Sequence, residues 1–315
     1  MPEHAPVAAP PSKWPAYDAA LKQRGNLTVW FSEDVVDAWV APKEHQPGHP
    51  RLYADLAIEV ALTVRAVYQL ALRQAEGFLQ SIVEIMGLVL SIPDHTTMSR
   101  RCKKLKIRAI LRNSSGPIDM AVDSTGLKIY VGRQRRRFLR GAAARRPWRK
   151  LHLAVDLTTG EIVASTITSN TKGDAARVPE LVAQVNEPIG TFFADGAYDR
   201  RSVYATLSQR QPTPEIRVVI PPRKDAKLSR KAAVEPTQRD LHLLVIKHGG
   251  RKAWEKAVGN GRRSVVENAI YRFKTVIGRS LRGRLMETQD TETRVGCKIL
   301  NIMKRLRPMT DAKAA

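Results

Sequence analysis

The chain contains 315 residues, with 53 Lys or Arg against 30 Asp or Glu, and its formal net charge is +23. The length suggests about two domains, and a hydrophobic content of 43% is typical of a folded protein. Two cysteines 195 positions apart exclude a zinc ribbon, a CxxC redox pair and a disulfide framework. The first residues have no apolar core, and no run reaches the roughly 18 apolar residues of a membrane span. We therefore expect a cytoplasmic protein without a signal peptide or a membrane segment.

The positive charge is concentrated after residue 99. Residues 1–99 hold 7 basic and 11 acidic side chains, whereas residues 100–315 hold 46 basic and 19 acidic ones. This segregation favours a polyanionic partner, above all nucleic acid, over a basic surface without a partner or a ribosome-like RNA binder. The densest run, residues 132–150, has nine basic residues and no acidic one. We expect it to form an arm along the DNA backbone, with contacts from Arg135, Arg136, Arg137 and Trp148.

The first part of the chain predicts a tail followed by a mainly helical DNA-binding domain. Residues 1–50 combine a Pro- and Ala-rich tail with a short helical segment, and residues 51–113 show apolar residues at helical spacing. Asp94 can cap a third helix, residues 96–108, which has a narrow apolar stripe and a basic outer face. Such a helix indicates a helix-turn-helix-like recognition element, although an ordinary solvated helix has the same pattern. The residues expected to contact DNA from this helix are Thr96, Arg100, Lys103 and Lys104.

After Pro117 the apolar period changes to two, which predicts a sheet. Strands are expected at 118–131, 151–157, 162–168, 190–194 and 216–220, and helices at 175–184, 201–209, 262–277 and 292–305. A three-stranded meander followed by alternating helices and strands is the order of a ribonuclease-H-like mixed β-sheet flanked by helices. The predicted fold class is therefore α/β, with a catalytic domain at 117–307 and a tail at 308–315.

Three carboxylates in this sheet domain are distinguished by their context. Asp123 lies inside the first strand, Asp195 ends a later strand, and Glu267 lies on the helix 262–277. A carboxylate in an apolar strand needs a counter-charge, and three carboxylates without Cys or a His cluster favour Mg²⁺ or Mn²⁺. Two such ions about 3.5–4 Å apart would hold the attacking and leaving oxygens of a phosphodiester. The alternative is that a buried strand aspartate is a satisfied structural group.

The helix that carries Glu267 also places two cations on the same stripe. At about 100° per residue, Arg263 and Lys274 lie within about 40° of Glu267, while apolar residues occupy the adjoining face. The helix can therefore pack on the sheet and present one carboxylate and two cations for DNA phosphates at its edge. An ordinary i,i+4 ion pair between Arg263 and Glu267 would use the same spacing.

Five short motifs occur together: DSTGLK (123–128), WRKLHLAVD (148–156), ADGAYD (194–199), IPPRKDA (220–226) and RxxxExxxxxxK (263–274). In this combination the chain resembles the DDE transposases of bacterial insertion sequences over about residues 14–306. Within that class it resembles insertion-sequence family five, whose signature is Tyr-x2-Arg-x3-Glu-x6-Lys. By this resemblance Asp123, Asp195 and Glu267 are the catalytic and metal-binding triad, and Arg263 and Lys274 are the signature cations. The signature Tyr falls at position 260, where this chain has Asn260.

The resemblance implies a Mg²⁺-dependent transposase that binds the terminal inverted repeats of its element. Such an enzyme hydrolyses a phosphodiester at each end and directs the exposed 3′-hydroxyls against target DNA, without a covalent enzyme intermediate. Because the reaction joins two ends, it also implies a homo-oligomer on double-stranded DNA. Two alternatives stay open: a transposase-derived DNA-binding protein without catalysis, and a nuclease of the same fold that cuts without strand transfer.

Overall fold

The structure, a computed structural model, describes residues 14–31, 33–42, 51–107, 116–130, 148–211 and 213–306. The expected arm residues Arg135, Arg136 and Arg137 and the tail 308–315 lie outside these ranges. Within them, no helix combines the length and the apolar content needed to cross a membrane.

The N-terminal part forms a layer of helices. They are α1 (Trp14–Gln23), α2 (Glu33–Asp37), α3 (Asp55–Val67), α4 (Leu72–Ile85) and α5 (His95–Cys102), with a 3-10 turn at Leu27–Val29. Residues 57–64 of α3 are mostly apolar, and all of them are buried, so α3 is enclosed along most of its length. Trp39 attaches the segment before α3 to the connection between α4 and α5, because its indole N–H donates to the Ser91 carbonyl oxygen at 2.8 Å.

α5 is shorter than the sequence predicted and follows a longer connection. The helix ends at Cys102 instead of continuing to residue 108. Leu105 and Ile107 are buried on either side of the exposed Lys106, an alternation that suits extended backbone better than a helix. Residues 86–94 separate α4 from α5. This connection is longer than the roughly three- to four-residue turn of a helix-turn-helix motif.

The C-terminal part contains a mixed sheet of six strands. They are β1 (Ile118–Ile129), β2 (Trp148–Asp156), β3 (Ile162–Ser169), β4 (Ile189–Phe193), β5 (Arg217–Val219) and β6 (Ser280–Leu281). Their order is β3-β2-β1-β4-β5, and β6 pairs with the end of β1. The first three strands form an antiparallel meander, whereas β4 and β5 run parallel to β1. The predicted mixed α/β sheet is confirmed, with strand ends shifted by at most three residues.

Helices cover both faces of this sheet. They are α6 (Val178–Val182), α7 (Arg201–Arg210), α8 (Gln238–Val258), α9 (Ser264–Arg272) and α10 (Met286–Arg305). Short 3-10 turns lie at Asp174–Arg177, Gly196–Tyr198 and Asn260–Arg263, and a π-helical turn lies at Phe273–Ile277. α6 and α7 pack against the face that contains Met120 and Phe192, and α8, α9 and α10 pack against the face that contains Ala121 and Phe193.

Several helices differ from their predicted extents. The predicted helix 262–277 is divided into a 3-10 turn, α9 and the π-helical turn. The predicted helix 175–184 begins as a 3-10 turn, and α10 starts six residues before the predicted position 292. α8 was not predicted, because Gly250, with a φ of 78°, kinks it and interrupts any continuous helical pattern.

α10 belongs to both parts of the molecule. Its residues Val295, Ile299 and Met303 lie in the same hydrophobic cluster as α3, α4 and α5. Leu300 instead packs with the residues of the sheet. The side chains of Lys298 and Glu59 add an ion pair between α10 and α3. The helical layer and the sheet therefore share one helix.

Candidate active site

Strand register brings Asp123 and Asp195 together. β1 and β4 run parallel, and their last paired residues are Ala121 and Phe193. Asp123 and Asp195 each follow two residues later, so the continued register takes both to the same edge of the sheet. β2, β3 and α6 lie between the two acids in the chain. The acids are therefore distant in sequence although the strand pairing brings them close in space.

Asp123 lies in a partly buried, acidic environment. Its side chain is 19% exposed, and its Oδ1 accepts a hydrogen bond from the Ser124 backbone N–H at 2.7 Å. Burial raises the pKa of Asp123 from its ordinary value, and the charges of Asp195 and Glu267 raise it further. The Ser124 N–H and the Arg263 guanidinium oppose this rise. The charges of the other two acids therefore act on Asp123, and its surroundings favour added positive charge.

Asp195 begins a tight turn directly after β4. Its Oδ1 accepts a hydrogen bond from the Ala197 backbone N–H at 2.8 Å, which caps the 3-10 turn Gly196–Tyr198. A Cβ at Gly196 would lie 3.2 Å from the Pro221 carbonyl oxygen. The glycine therefore lets this turn approach the loop that follows β5, and the approach fixes the position of Asp195.

Arg263 joins the third acid to the first. α9 packs on the sheet through the buried Val266 and Ala269, and this leaves Glu267 half exposed at the edge. The Arg263 guanidinium donates to Glu267 Oε1, and its Nη1 lies 3.5 Å from Asp123 Oδ2. One cation thus bridges an acid of the strand and an acid of the helix.

The chemistry of these donors fits a hard divalent cation. Carboxylate oxygens are the ligands that Mg²⁺ and Mn²⁺ prefer, and the Arg263 guanidinium already places positive charge between two of them. Within the described part of the chain, no three His, Cys, Asp or Glu side chains are grouped closely enough to hold a metal ion.

Lys274 and Asn260 flank α9. Lys274 is half-buried in the π-helical turn, so the angular spacing expected for an α-helix does not extend to it. Asn260 opens the 3-10 turn before α9, and the positive φ of this loop belongs to the preceding Gly259, at 69°. The Asn260 side-chain oxygen is buried and has no hydrogen-bond partner among the residues described.

The remaining predicted DNA contacts lie on other elements. α5 packs against α3, α4 and α10, and so belongs to the helical layer, whereas the acids lie at the sheet. Its predicted contact residues, which are all exposed, are Thr96, Arg100, Lys103 and Lys104. The Thr96 hydroxyl donates to the Asp94 carboxylate. Trp148 opens β2 opposite Lys128 of β1 and is 39% exposed.

Two features near the acids were not predicted. Asp119 lies four residues before Asp123, hence on the same face of β1, and its carboxylate is 2.8 Å from Arg262 Nη1. This period-two spacing is a signal that the sequence does contain. On the opposite face, His152 of β2 is fully buried across from Ser124, and burial lowers its pKa to about 4. Nothing in the sequence alone distinguishes this histidine from an ordinary core residue.

Two family models and a solved structure match this chain. A model described as a transposase DDE domain matches residues 114–297, which are 184 of the 315 residues and include all three acids. A second model with the same description matches residues 22–132. The chain is also similar to a structure described as the cryo-EM structure of piggyBac transposase synaptic complex with hairpin DNA. That match has 10% sequence identity and a TM-score of 0.36, over 91% of this chain and 75% of the other.

Proposed function

This chain belongs to the DDE transposase family, and on that premise we propose that it binds the terminal inverted repeats of an insertion sequence and catalyses strand cleavage and strand transfer there. The observation that carries the proposal is the parallel pairing of β1 with β4 up to Ala121 and Phe193, two residues before Asp123 and Asp195 respectively. The Arg263 bridge, which links Asp123 to Glu267, supports these three acids as the catalytic triad. The strand order β3-β2-β1-β4-β5 supports a ribonuclease-H-like fold.

Asp123, Asp195 and Glu267 would hold divalent metal, Mg²⁺ or Mn²⁺, with two ions in the complete site. Bound metal would supply Lewis acidity to the phosphodiester and a more acidic water molecule. When Arg263 leaves Glu267, its planar guanidinium becomes available to a DNA phosphate. Lys274, in the π-helical turn after α9, would provide a second cation for the same DNA strand.

Double-stranded DNA is the partner that the charge distribution favours. In this proposal α5 reads the inverted repeat with Thr96, Arg100, Lys103 and Lys104, while the arm follows the backbone with Arg135, Arg136, Arg137 and Trp148. Two ends must be joined, so at least two protomers would assemble on DNA. The signature Arg263-x3-Glu267-x6-Lys274 supports insertion-sequence family five, from which Asn260 departs.

End cleavage tests the proposal. The purified chain is incubated with Mg²⁺ and labelled DNA that carries the end of its own element, next to a target plasmid. We expect nicks that expose 3′-hydroxyls, followed by joining of those ends to the plasmid. Binding without cleavage in either Mg²⁺ or Mn²⁺ would favour the inactive DNA-binding alternative. Cleavage without joining would favour the nuclease.

Alanine at Arg100 and Lys103 should reduce the preference for inverted-repeat DNA over random DNA. Arg100 is exposed on α5, and Lys103 is exposed directly after it. Contacts from these side chains to base edges in a DNA groove would carry sequence information. Each lost base contact should cost about 1–3 kcal/mol of discrimination. The measurement is a competition gel-shift with repeat and random duplexes of equal length.

The arm provides the matched comparison. Neutralising Arg135, Arg136 and Arg137 should weaken binding to both duplexes alike, because phosphate contacts carry no sequence information. The salt dependence should become shallower by about 0.9 log units of slope for each lost phosphate contact. Equal losses on both duplexes from the Arg100 and Lys103 changes would contradict the recognition role of α5.

Asn260→Tyr should raise strand transfer without changing the metal dependence of cleavage. The family signature has Tyr at this position, where an aromatic ring could stack on a DNA base, an interaction worth roughly 1–3 kcal/mol. Asn260 lies in the turn that leads directly into α9. Parallel cleavage and joining assays measure the effect. Unchanged or lower joining would show that another group, such as the exposed Tyr271, already provides the aromatic surface.

A further inference from the structure

A second arginine holds the turn before α9 against the sheet. Arg262 Nη1 lies 2.8 Å from Asp119 Oδ2, and the Arg262 guanidinium carbon lies 5.6 Å from the centre of the Phe193 ring. This distance is within the range of a cation–π contact. Asp119 belongs to β1, and Phe193 is the last residue of β4. Arg262 therefore contacts both of the paired strands that lead to Asp123 and Asp195.

The Asp119 carboxylate has a closely fitted place on the sheet. The register of the β1–β4 pair shifts between Ile118 and Asp119, so that Gly190 is an extra residue in β4. A Cβ at Gly190 would lie 3.2 Å from Asp119 Oδ1, which is tighter than ordinary van der Waals contact. The glycine therefore makes room for this carboxylate. Register shifts of this kind commonly redirect side chains beside active sites.

The residue after Arg262 reaches the acids of the candidate site. Arg263 lies 3.5 Å from Asp123 Oδ2 and also donates to Glu267, four residues later on α9. Adjacent arginines thus contact two acids, Asp119 and Asp123, that lie on one face of β1. Because Arg262 and Arg263 share a peptide bond, a displacement of the 3-10 turn would move the Arg263 guanidinium and the start of α9 together.

We propose that Arg262 and Asp119 are positioning residues for the third acid: their ion pair fixes the start of α9 against β1 and so sets the distance of the Glu267 carboxylate from Asp123. The inference rests on the proposed function, because that distance matters for catalysis only if both acids hold metal. Outer partners of metal ligands typically change metal affinity or activity about 10–100-fold. This pair acts through the backbone of α9, so we expect an effect at the lower end of that range.

Arg262→Gln and Asp119→Asn test the inference, because each removes the ion pair and keeps a polar side chain. Arg294→Gln is the matched control: Arg294 forms a partly exposed ion pair with Asp290 at 2.7 Å, within the single helix α10. Hydrogen exchange without metal measures how firmly α9 is held. Two further measurements report on the site. They are binding of Mn²⁺ alone to the full chain, followed by the paramagnetic resonance of free Mn²⁺, and cleavage of labelled end DNA at saturating concentration.

In both variants of the pair we expect faster exchange of the α9 backbone amides, Mn²⁺ binding about tenfold weaker and a maximal cleavage rate about tenfold lower. The double variant should be no worse than the more impaired single variant, because both changes remove the same interaction. Arg262→Lys, which keeps a cation opposite Asp119, should recover part of the loss. Arg294→Gln should behave as the wild type does.

Three results would contradict these expectations in different ways. Normal Mn²⁺ binding and normal cleavage in both variants would overturn the positioning role, even if α9 exchanges faster. A loss confined to Arg262→Gln, together with weaker binding of end DNA, would identify Arg262 as a DNA contact and overturn its role with Asp119. A wild-type chain that binds no Mn²⁺ and cuts no DNA would overturn the proposed function, while hydrogen exchange would still show whether the pair fixes α9.

Discussion

Alanine at Asp123, Asp195 or Glu267 should lower end cleavage by on the order of a thousandfold or more, equivalent to about 4 kcal/mol of transition-state stabilisation. In the proposed site each residue would supply one carboxylate to a set that holds divalent charge beside the phosphodiester. The nearby Asp119 is engaged by Arg262 and would not replace a missing acid. The measurement is cleavage of labelled end DNA in Mg²⁺, with a gel-shift of the same DNA.

End binding by these variants should persist, because the predicted DNA contacts lie mainly on α5 and the arm. Asp37→Ala is the control: this acid is exposed at the end of α2, and its removal should leave cleavage unchanged. Substantial cutting by any one of the three variants would remove that residue from the catalytic set.

Arg239→Ala should lower the free energy of unfolding by about 3 kcal/mol. The Asp199 carboxylate is fully buried and accepts hydrogen bonds from Arg239 Nε at 2.6 Å and Nη2 at 3.0 Å. Without the guanidinium, the backbone N–H of Arg223 is the one donor to that carboxylate among the residues that the structure describes. Breaking a buried pair typically costs about 3–5 kcal/mol, and the lower end applies because Arg239 itself is 26% exposed. Denaturant unfolding measures the change.

Arg230→Ala is the matched control. Arg230 is exposed in the loop before α8, and its loss should change the free energy of unfolding by less than about 0.5 kcal/mol. Arg239→Lys should fall between the two, because an ammonium group replaces the charge but not the paired geometry. Equal stabilities for the two alanine variants would show that the Asp199–Arg239 pair does not hold α8 beside the Asp195 turn.

The sequence predicts the sheet well because its strands are locally encoded. The alternation of apolar residues in β1, β2 and β3 depends only on neighbours in the chain, and the structure follows it to within three residues. Where two periodicities compete, local patterns fail. Leu105 continues the helical stripe of Met98 and Cys102, whereas Leu105 and Ile107 together fit an extended alternation, and the helix ends at Cys102. α8 contains a kink at Gly250 that no helical periodicity spans.

The residues of the candidate site divide in the same way. Asp123, Asp195 and Glu267 could be identified from their motifs, because the strand and helix contexts are visible in the sequence. The Arg263 bridge to Asp123 depends on how α9 lies across β1, and the approach of Asp195 to Asp123 depends on the parallel pairing of β4 with β1. These are tertiary contacts between elements that are distant in sequence, so residue spacing along the chain does not predict them.

The helix that α3, α4 and α5 share with the sheet is synthesised long after those three helices. Cys102 ends α5, whereas α10 is complete only at Arg305, 203 residues later. At about 5–20 residues per second, the ribosome needs roughly 10–40 s for that interval. During it, the apolar surface that later meets Val295, Ile299 and Met303 has no permanent partner. The helical layer is therefore translated before α10 but completes its packing only after it, and a chain terminated before residue 286 would lack the helix that covers this apolar surface.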